Sequence, residues 1–357
     1  MPKSEPQFII PFAKPSGITS FTSLWQVKHT LGTKKVGHTG TLDSFADGLL
    51  VLLSGKLTKL VPYITDFDKT YRVLFYFGKE TDTLDPEGTV IAEKPLPVYA
   101  DFISAIRQLT GTIEQVPPVY SAVKQAGERL SDKIRRGEAV SVPPRTVTIY
   151  SIDIEEIFYA PEPDTNRENL EMSAVRKVLG AVLCVRCSKG TYIRSLVRDI
   201  AHRCGSAAYV YALRRTAVGP FTLEQAAGFS ALPPFGNAAA YAVNADSTDT
   251  PSDCADSAAV PHSVPDEAIK QAALPLSEAI ARAMHFQTAV LKEQYYAAFM
   301  NGKPISGHWF TSAQPLSDDG TTAVFYEGRC AGLITKNGSR FHYQIVFNRG
   351  RVNASDA

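Results

Sequence analysis

Apolar residues crowd into short runs at 71–77 ("YRVLFYF"), 147–155 ("VTIYSIDIE") and 181–188 ("AVLCVRCS"). These runs are rich in β-branched and aromatic side chains, so each predicts a strand. Between them, Phe102, Ile103, Ile106 and Leu109 recur at helical spacing, with Asp101 as the expected N-cap and Gly111 as the expected stop. The stretch "TYIRSLVRDIAHRCG" repeats the helical pattern through Ile193, Leu196, Val197, Ile200 and Cys204. Strands and helices interleave irregularly, without an internal repeat and without a readable series of βαβ units, which predicts an α+β or mixed α/β body.

The pattern changes after Phe235. From Gly236 to Glu267 the chain is poor in large apolar residues and rich in Ala, Ser, Asp and Pro, the composition of a mobile insertion or linker. A helix follows at 276–284 ("LSEAIARAM"), then short alternating segments such as "TAVFYEG" and "HYQIVFN", punctuated by Asn301-Gly302 and Asn337-Gly338. The expected division is a body over 8–235 with an insertion near 117–145, a linker at 236–267, a returning helix within 268–290, and a small β domain over 291–352. A β unit that short is marginal alone, so it is expected to pack on the body.

Composition narrows the function classes. With 357 residues, 44% of them hydrophobic, the chain can bury a sizeable core without staples. Its 37 Lys and Arg against 36 Asp and Glu leave no bulk field that would announce a nucleic-acid or membrane partner, so local concentrations of charge carry the information. Arg186, Lys189, Arg194, Arg198, Arg203, Arg214 and Arg215 share their stretch with one acid, Asp199, and a second basic stretch runs from Lys124 to Arg145. Arg194 and Arg198 are expected on one helix face away from the apolar stripe, with "SKGTY" ahead of them offering N–H groups to phosphate. Nucleic acid is the expected partner; these residues alone do not choose RNA over DNA.

Five cysteines at uneven spacing and an N-terminus without an apolar core point to a reducing, cytoplasmic setting. The run Leu49–Leu53 is far shorter than the roughly 20 residues that cross a bilayer, so no membrane insertion is expected. Cys184 and Cys187 would point to opposite faces of a strand, which argues against zinc. Ser54-Gly55-Lys56-Leu57 lacks the spacing and the hydroxyl of a phosphate loop.

The remaining chemistry lies in acids. One histidine and two carboxylates stand among glycines in "HTGTLDSFADG" (38–48), and Glu80, Asp82 and Asp85 in "GKETDTLDPEG" (78–88). Two acids facing across a pocket could run glycosidase-type acid and base chemistry, whereas acids that cap turns are commoner; spacing alone leaves both readings open.

Five segments resolve this by their order: "FAKPSGITSF" (12–21), "KKVGHTGTLDSFADGLLVLLSGKLTKL" (34–60), "DKTYRVLFYFGKETDTLDPEG" (68–88), "VPPVYSAVKQAGERLSDKIRRGE" (116–138) and "CSKGTYIRSLVRDIAHRCGSAAYVYALRRTAVGPF" (187–221). In this order they resemble the TruB-type tRNA pseudouridine synthases, in a bacterial form, over about residues 8–227. Farther on, "AAFMNGKPI" and "EGRCAGLI" resemble the small RNA-binding β-barrel that ends many bacterial members.

The resemblance implies an α+β pseudouridine synthase fold around a mixed, largely antiparallel sheet, and isomerisation of uridine 55 in the T loop of tRNA without metal or organic cofactor. It implies Asp43, Tyr71 and Arg194 as catalytic residues, with Arg194 pairing the aspartate. It implies His38, Leu213, Lys14, Thr39, Gly40, Lys189 and Tyr192 as substrate-binding residues, and a monomer that grips the T stem and T loop.

The chemistry fits those residue types. The reaction breaks the C1′–N1 bond, turns the base and joins C1′ to C5. An ionised Asp43 is needed whether it attacks the ribose or the base, and a guanidinium beside it favours that form. The uridine lies inside a folded loop and must be flipped outward to be reached. His38 would attend the vacated stack, Tyr71 would face the uracil, and Leu213 would close the pocket.

One departure stands out, because the family turn Leu-Asp-Pro-x-Ala-x-Gly reads Leu42-Asp43-Ser44-Phe45-Ala46-Asp47-Gly48 here. Without proline the φ angle after Asp43 is no longer preset, and the expectation is a local hydrogen bond from Ser44 with packing by Phe45 and Leu49. Two other classes are kept in view. A glycoside hydrolase would release free base and need a second carboxylate near Asp43; a noncatalytic tRNA-binding or RNA-chaperone protein would leave uridine unchanged.

Overall fold

The computed structural model describes residues 5–120, 142–161, 175–235, 264–312, 315–318 and 320–347, and the backbone of two short strands at 124–125 and 128–129. Most of the 236–267 stretch and of the insertion near 117–145 therefore lies outside the described residues.

In chain order the strands are β1 (Ile9–Lys14), β2 (Val36–His38), β3 (Asp47–Ser54), β4 (Lys69–Phe77), β5 (Lys79–Thr81), β6 (Val90–Glu93), β7 (Gly111–Gln115), β8 (Lys124–Gln125), β9 (Glu128–Arg129), β10 (Arg145–Tyr159), β11 (Val178–Cys187), β12 (Ala208–Val218), β13 (Phe221–Thr222), β14 (Gln287–Leu291), β15 (Phe310–Thr311), β16 (Thr321–Tyr326), β17 (Arg329–Asn337) and β18 (Arg340–Val346). The α-helices are α1 (Ser20–Leu31), α2 (Val61–Thr65), α3 (Tyr99–Leu109), α4 (Ile193–Arg203), α5 (Asp266–Gln271), α6 (Glu278–Ala283) and α7 (Tyr296–Met300).

The main sheet has the order β1-β3-β12-β4-β11-β10-β7, with β2 on β3 and β13 on β12. All its pairings are antiparallel except β12 with β3, so the sheet is mixed and largely antiparallel, and the fold is α+β. All eight residues of β3 are buried. Leu49, Val51 and Leu53 face one core cluster and Leu50 and Leu52 another, which is why this strand reads as an unbroken apolar run. On β4 the alternation is cleaner: Val73, Phe75 and Phe77 enter a third cluster with α3 and α4, and Tyr71 packs at the end of that row.

The helix stripes behave as their spacing dictates. Phe102, Ile106 and Leu109 of α3 and Ile193, Leu196, Val197 and Ile200 of α4 are buried in that shared cluster. The expected cap at Asp101 is corrected: α3 begins at Tyr99 with Val98 as N-cap, and Asp101 sits in the first turn, where a carboxylate still favours the helix dipole. Asn301-Gly302 is likewise not a hairpin turn; Asn301 is the C-cap of α7, and Gly302 has a left-handed φ of 70°.

The C-terminal strands form a five-stranded sheet, β15-β14-β16-β17-β18, with β14 and β16 parallel. Its order has two ends, and no pairing closes it into a barrel among the described residues. Ala323, Phe325, Leu333, Ile345 and Phe347 share a core cluster with Leu49, Leu57 and Ile64 of the body, so the two sheets are joined by apolar packing.

Gly48 fixes the junction of β3 with β12. Its φ is +105°, and a Cβ there would lie 2.4 Å from the Arg215 carbonyl oxygen. The glycine answers to a neighbouring strand. We predict that Gly48→Ala lowers unfolding free energy by at least about 1–3 kcal/mol, the usual cost of a strained backbone, measured by urea denaturation; an unchanged midpoint would contradict this packing.

Candidate active site

The loop between β2 and β3 carries Asp43 and is tied down on both sides of it. Before Asp43, the Ser20 hydroxyl at the start of α1 donates to the Leu42 carbonyl at 3.0 Å and accepts the Leu42 N–H at 2.8 Å. After it, the Ser44 carbonyl accepts from Gly17 N–H at 2.8 Å and from Lys14 Nζ at 3.3 Å. Leu42 and Ala46 sink into the core beneath. A polar loop with both flanks pinned and its apolar residues buried presents one side chain outward in a set direction.

That side chain meets Arg194. The guanidinium places Nε 3.0 Å from Asp43 Oδ2 and Nη1 2.9 Å from Asp85 Oδ2. Nη1 also donates to the Thr83 carbonyl at 2.8 Å, and Nη2 to the Tyr120 carbonyl at 3.1 Å. Planar guanidinium geometry lets one residue fix two carboxylates and two carbonyls at once, which the point charge of a lysine cannot do. Arg194 stands in the first turn of α4, where a cation opposes the helix dipole, so helix stability does not explain it. The expectation that it shares an outward face with Arg198 is corrected: Arg194 is buried, and its stripe is the acidic side of the loop and turn.

Asp85 is the residue that spacing alone undervalued. It is buried, and it accepts from Thr83 Oγ1 at 2.5 Å and from the Glu87 N–H at 3.1 Å besides Arg194. Burial pushes its carboxyl above the ordinary value of 3.8, with Thr83, Arg194 and the Glu87 N–H opposing that rise. The "TDTLDPEG" turn signalled a cap, and it is one; only the fold shows that the cap also grips Arg194. The three acids thus differ in access: the Asp43 side chain is 37% exposed, that of Asp85 6% and that of Asp47 11%. Asp47 is clasped by Arg214, Nε to Oδ1 at 2.7 Å and Nη2 to Oδ2 at 2.5 Å, and serves to lock β3 to β12.

Tyr71 lies across from Arg215 in the register of β4 and β12. Burial pushes its phenol up, so it carries its proton at neutral pH. Leu213, opposite Val73, lines the same cluster. Arg215, expected in a basic patch, is instead buried, donating from Nε to the Leu49 carbonyl at 2.7 Å and from Nη2 to the Gly40 carbonyl at 3.2 Å. His38 Nδ1 accepts the Gly40 N–H at 3.3 Å, leaving the proton on Nε2. Burial first, and Arg215 second, lower the His38 pKa, so the imidazole is neutral at neutral pH. Thr39 Oγ1 donates to the Val51 carbonyl at 3.2 Å.

The other sequence candidates are brought near the loop or spent elsewhere. Lys14 is fully buried, its ammonium on the carbonyls of Pro15, Ile18 and Ser44, a brace for the loop. Tyr192 is the N-cap of α4; Gln115 clamps its backbone from both sides, taking the N–H that had seemed free for phosphate. Lys189 pairs with Asp66 at 2.8 Å. Arg186 meets Asp68 and Arg198 meets its neighbour Asp199, so with Lys189 and Arg214 much of the apparent basic patch is paired with acids, most of them distant in sequence. Among the described residues no group of three or more His, Cys, Asp or Glu could hold a metal ion, and no helix is long and apolar enough to cross a membrane.

Comparison with known proteins gives this geometry its relatives. A family model described as TruB family pseudouridylate synthase (N terminal domain) matches residues 28–193. The chain is 42% identical to tRNA pseudouridine synthase B of Treponema pallidum (strain Nichols), covering 96% of this chain and 98% of that one. The chain belongs to the TruB family. Another TruB relative, tRNA pseudouridine synthase B of Treponema denticola, is 41% identical over 95% of this chain and 97% of its own. Among solved structures, a Cbf5-Nop10-Gar1 complex aligns with a TM-score of 0.59 at 21% identity, over 96% of this chain and 85% of that chain. At that identity it speaks for the fold alone.

Two outcomes follow. Arg194→Lys keeps a cation but loses the bridge; single-turnover rates should fall about 100-fold, the scale of a misplacement near 1 Å, with a modest change in RNA affinity. Burial lowers the Lys14 pKa from 10.5 to about 8. Between those values the unfolded chain holds a proton that the folded one has released, so stability rises with pH. Relative to Lys14→Met, the wild type should gain up to about 3 kcal/mol from pH 8 to pH 10.5 in urea denaturation; a flat difference would mean that the ammonium is not buried as described.

Proposed function

We propose that this TruB-family chain is a tRNA pseudouridine synthase that isomerises uridine 55 of the T loop, with Asp43 as the catalytic carboxylate. The enzyme class rests on near full-length identity to tRNA pseudouridine synthases B. The assignment of Asp43 rests on one observation: of the three acids around the loop, it alone combines an exposed carboxylate with a guanidinium that orients it.

The flipped uridine would enter between Tyr71, Leu213 and the 38–43 loop. Ionised Asp43 acts on the nucleoside, the C1′–N1 bond breaks, and the base turns within the pocket. C5 then joins C1′, the C5 proton is lost and N1 gains one, so composition is unchanged and no co-reactant is consumed. Arg194 holds the carboxylate in place throughout; the Tyr71 phenol and the Leu213 side chain confine the free base, and neutral His38 offers an Nε2–H to the RNA. Thr39, Gly40, Lys14 and Tyr192 support these groups through their backbone and side-chain bonds. Lys189, the basic residues near 117–145 and the C-terminal sheet are assigned to the T stem and T loop. We assign the chain to the cytoplasm, as a monomer working without cofactor.

A hydrolase would need a second free carboxylate facing Asp43; Asp47 and Asp85 are buried and clasped, and the exposed Glu87 carboxylate is engaged by the Ser44 hydroxyl. A binding-only protein would have no use for an exposed carboxylate locked to a buried arginine.

With tRNA transcribed in vitro, Asp43→Asn should retain binding within a few-fold and form no pseudouridine on nucleoside analysis, while the wild type converts uridine 55 without mass change. Product from Asp43→Asn, or modification at another position, would overturn the assignment.

A further inference from the structure

Ser44 stands where the resemblance places a proline, and its hydroxyl bonds far along the chain. It donates to Glu87, 2.8 Å from Oε1 and 3.1 Å from Oε2, across 43 residues of sequence. This corrects the expectation of a local hydrogen bond; Phe45 does pack on the core, while Leu49 belongs to a different cluster.

The partner matters more than the distance. Glu87 is two residues beyond Asp85 and gives its own N–H to the Asp85 carboxylate. Asp85 grips Arg194, and Arg194 grips Asp43, whose next residue is Ser44. The five residues close a ring: Asp43, Arg194, Asp85, Glu87, Ser44. In that ring the loop and the acidic turn are joined at two points, the guanidinium on one side and the hydroxyl on the other.

We propose that the Ser44–Glu87 hydrogen bond positions Asp43, supplying across space the restraint that proline supplies at the same place by fixing φ. The inference rests on the reading of Asp43 as the catalytic carboxylate. A proline ring locks one torsion of the residue after the aspartate. Serine does not lock that torsion, and a hydroxyl held by the Glu87 side chain restores the restraint through a hydrogen bond across space. Ser44 and Glu87 touch neither substrate nor reacting atoms in this account; they are positioning residues. Their bond is solvent-exposed, so the restraint is modest and its loss should slow the chemical step without unfolding the chain.

The test uses the full-length chain, in vitro transcribed tRNA, single-turnover rates, tRNA affinity and thermal melting. Ser44→Ala and Glu87→Ala should each slow pseudouridine formation about fivefold, with affinity and melting unchanged, and the double variant should be no slower than either. Ser44→Thr and Glu87→Gln, which keep donor and acceptor, should retain near wild-type rates. In a Ser44→Pro background, Glu87→Ala should cost nothing further, because the ring supplies the restraint. Unchanged rates in both alanine variants, additive losses, or a full Glu87→Ala effect in the proline background would overturn the proposal. Asp43→Asn separates the two readings: if it is inactive while Ser44→Ala is unaffected, only the positioning role fails; if it is active, the catalytic reading fails as well.

Discussion

A single buried guanidinium organises this molecule's chemistry. Arg194 cannot leave its charge in water, so it must be surrounded by oxygen, and the chain brings four oxygen-bearing groups to it from three regions: Asp43, the Thr83–Asp85 turn and the Tyr120 carbonyl. Burying such a cation is tolerable only when its partners are complete, and removing one partner of a buried pair typically costs about 3–5 kcal/mol. The same requirement that keeps the arginine satisfied keeps the aspartate aimed. Stability and function are coupled at this point, since one carboxylate of the set is left partly open to solvent.

The fold supplies the rigidity that this coupling needs. β3 is buried along its whole length and meets β12 in the one parallel pairing of the main sheet, at Arg214 with Asp47 and Arg215 with Gly48. From that junction Arg214 clasps Asp47, and Arg215 reaches the Leu49 and Gly40 carbonyls, so two cations adjacent in sequence stitch both ends of the 39–48 loop. α4 carries its apolar stripe into the core and thereby places Arg194 under the loop. Short-range contacts then do the rest, with Ser20, Lys14 and Gly17 holding the residues on either side of Asp43.

Much of this was legible in the sequence, though unevenly. Strand β4 and helices α3 and α4 declare themselves because one face of each is apolar and period reports that directly. The family motifs pointed to Asp43 and Arg194, whose side chains meet, and to Tyr71, which lies opposite Arg215 in the register of β4 and β12. What sequence hid was pairing. Seven cations against Asp199 alone looked like an exposed patch, yet Asp43, Asp47, Asp66, Asp68 and Asp85 come back to meet four of them. Linear charge counts cannot see acids that arrive from over a hundred residues away. Asp85 was hidden for the same reason: its turn chemistry is local and visible, its grip on Arg194 is not. The requirement for glycine at 48 was hidden too, because its steric partner is a neighbouring strand's carbonyl.

The account turns on Asp43 being the carboxylate presented to the uridine while Arg194 holds it from behind. The most direct measurement is a structure of the full-length chain bound to tRNA. It should show uridine 55 flipped out of the T loop, a ribose or base carbon of it about 3–3.5 Å from an Asp43 carboxylate oxygen, with Arg194 still joined to both Asp43 and Asp85. A uridine seated against Asp47 or Asp85, or an Asp43 turned away with Arg194 bound to phosphate, would contradict it.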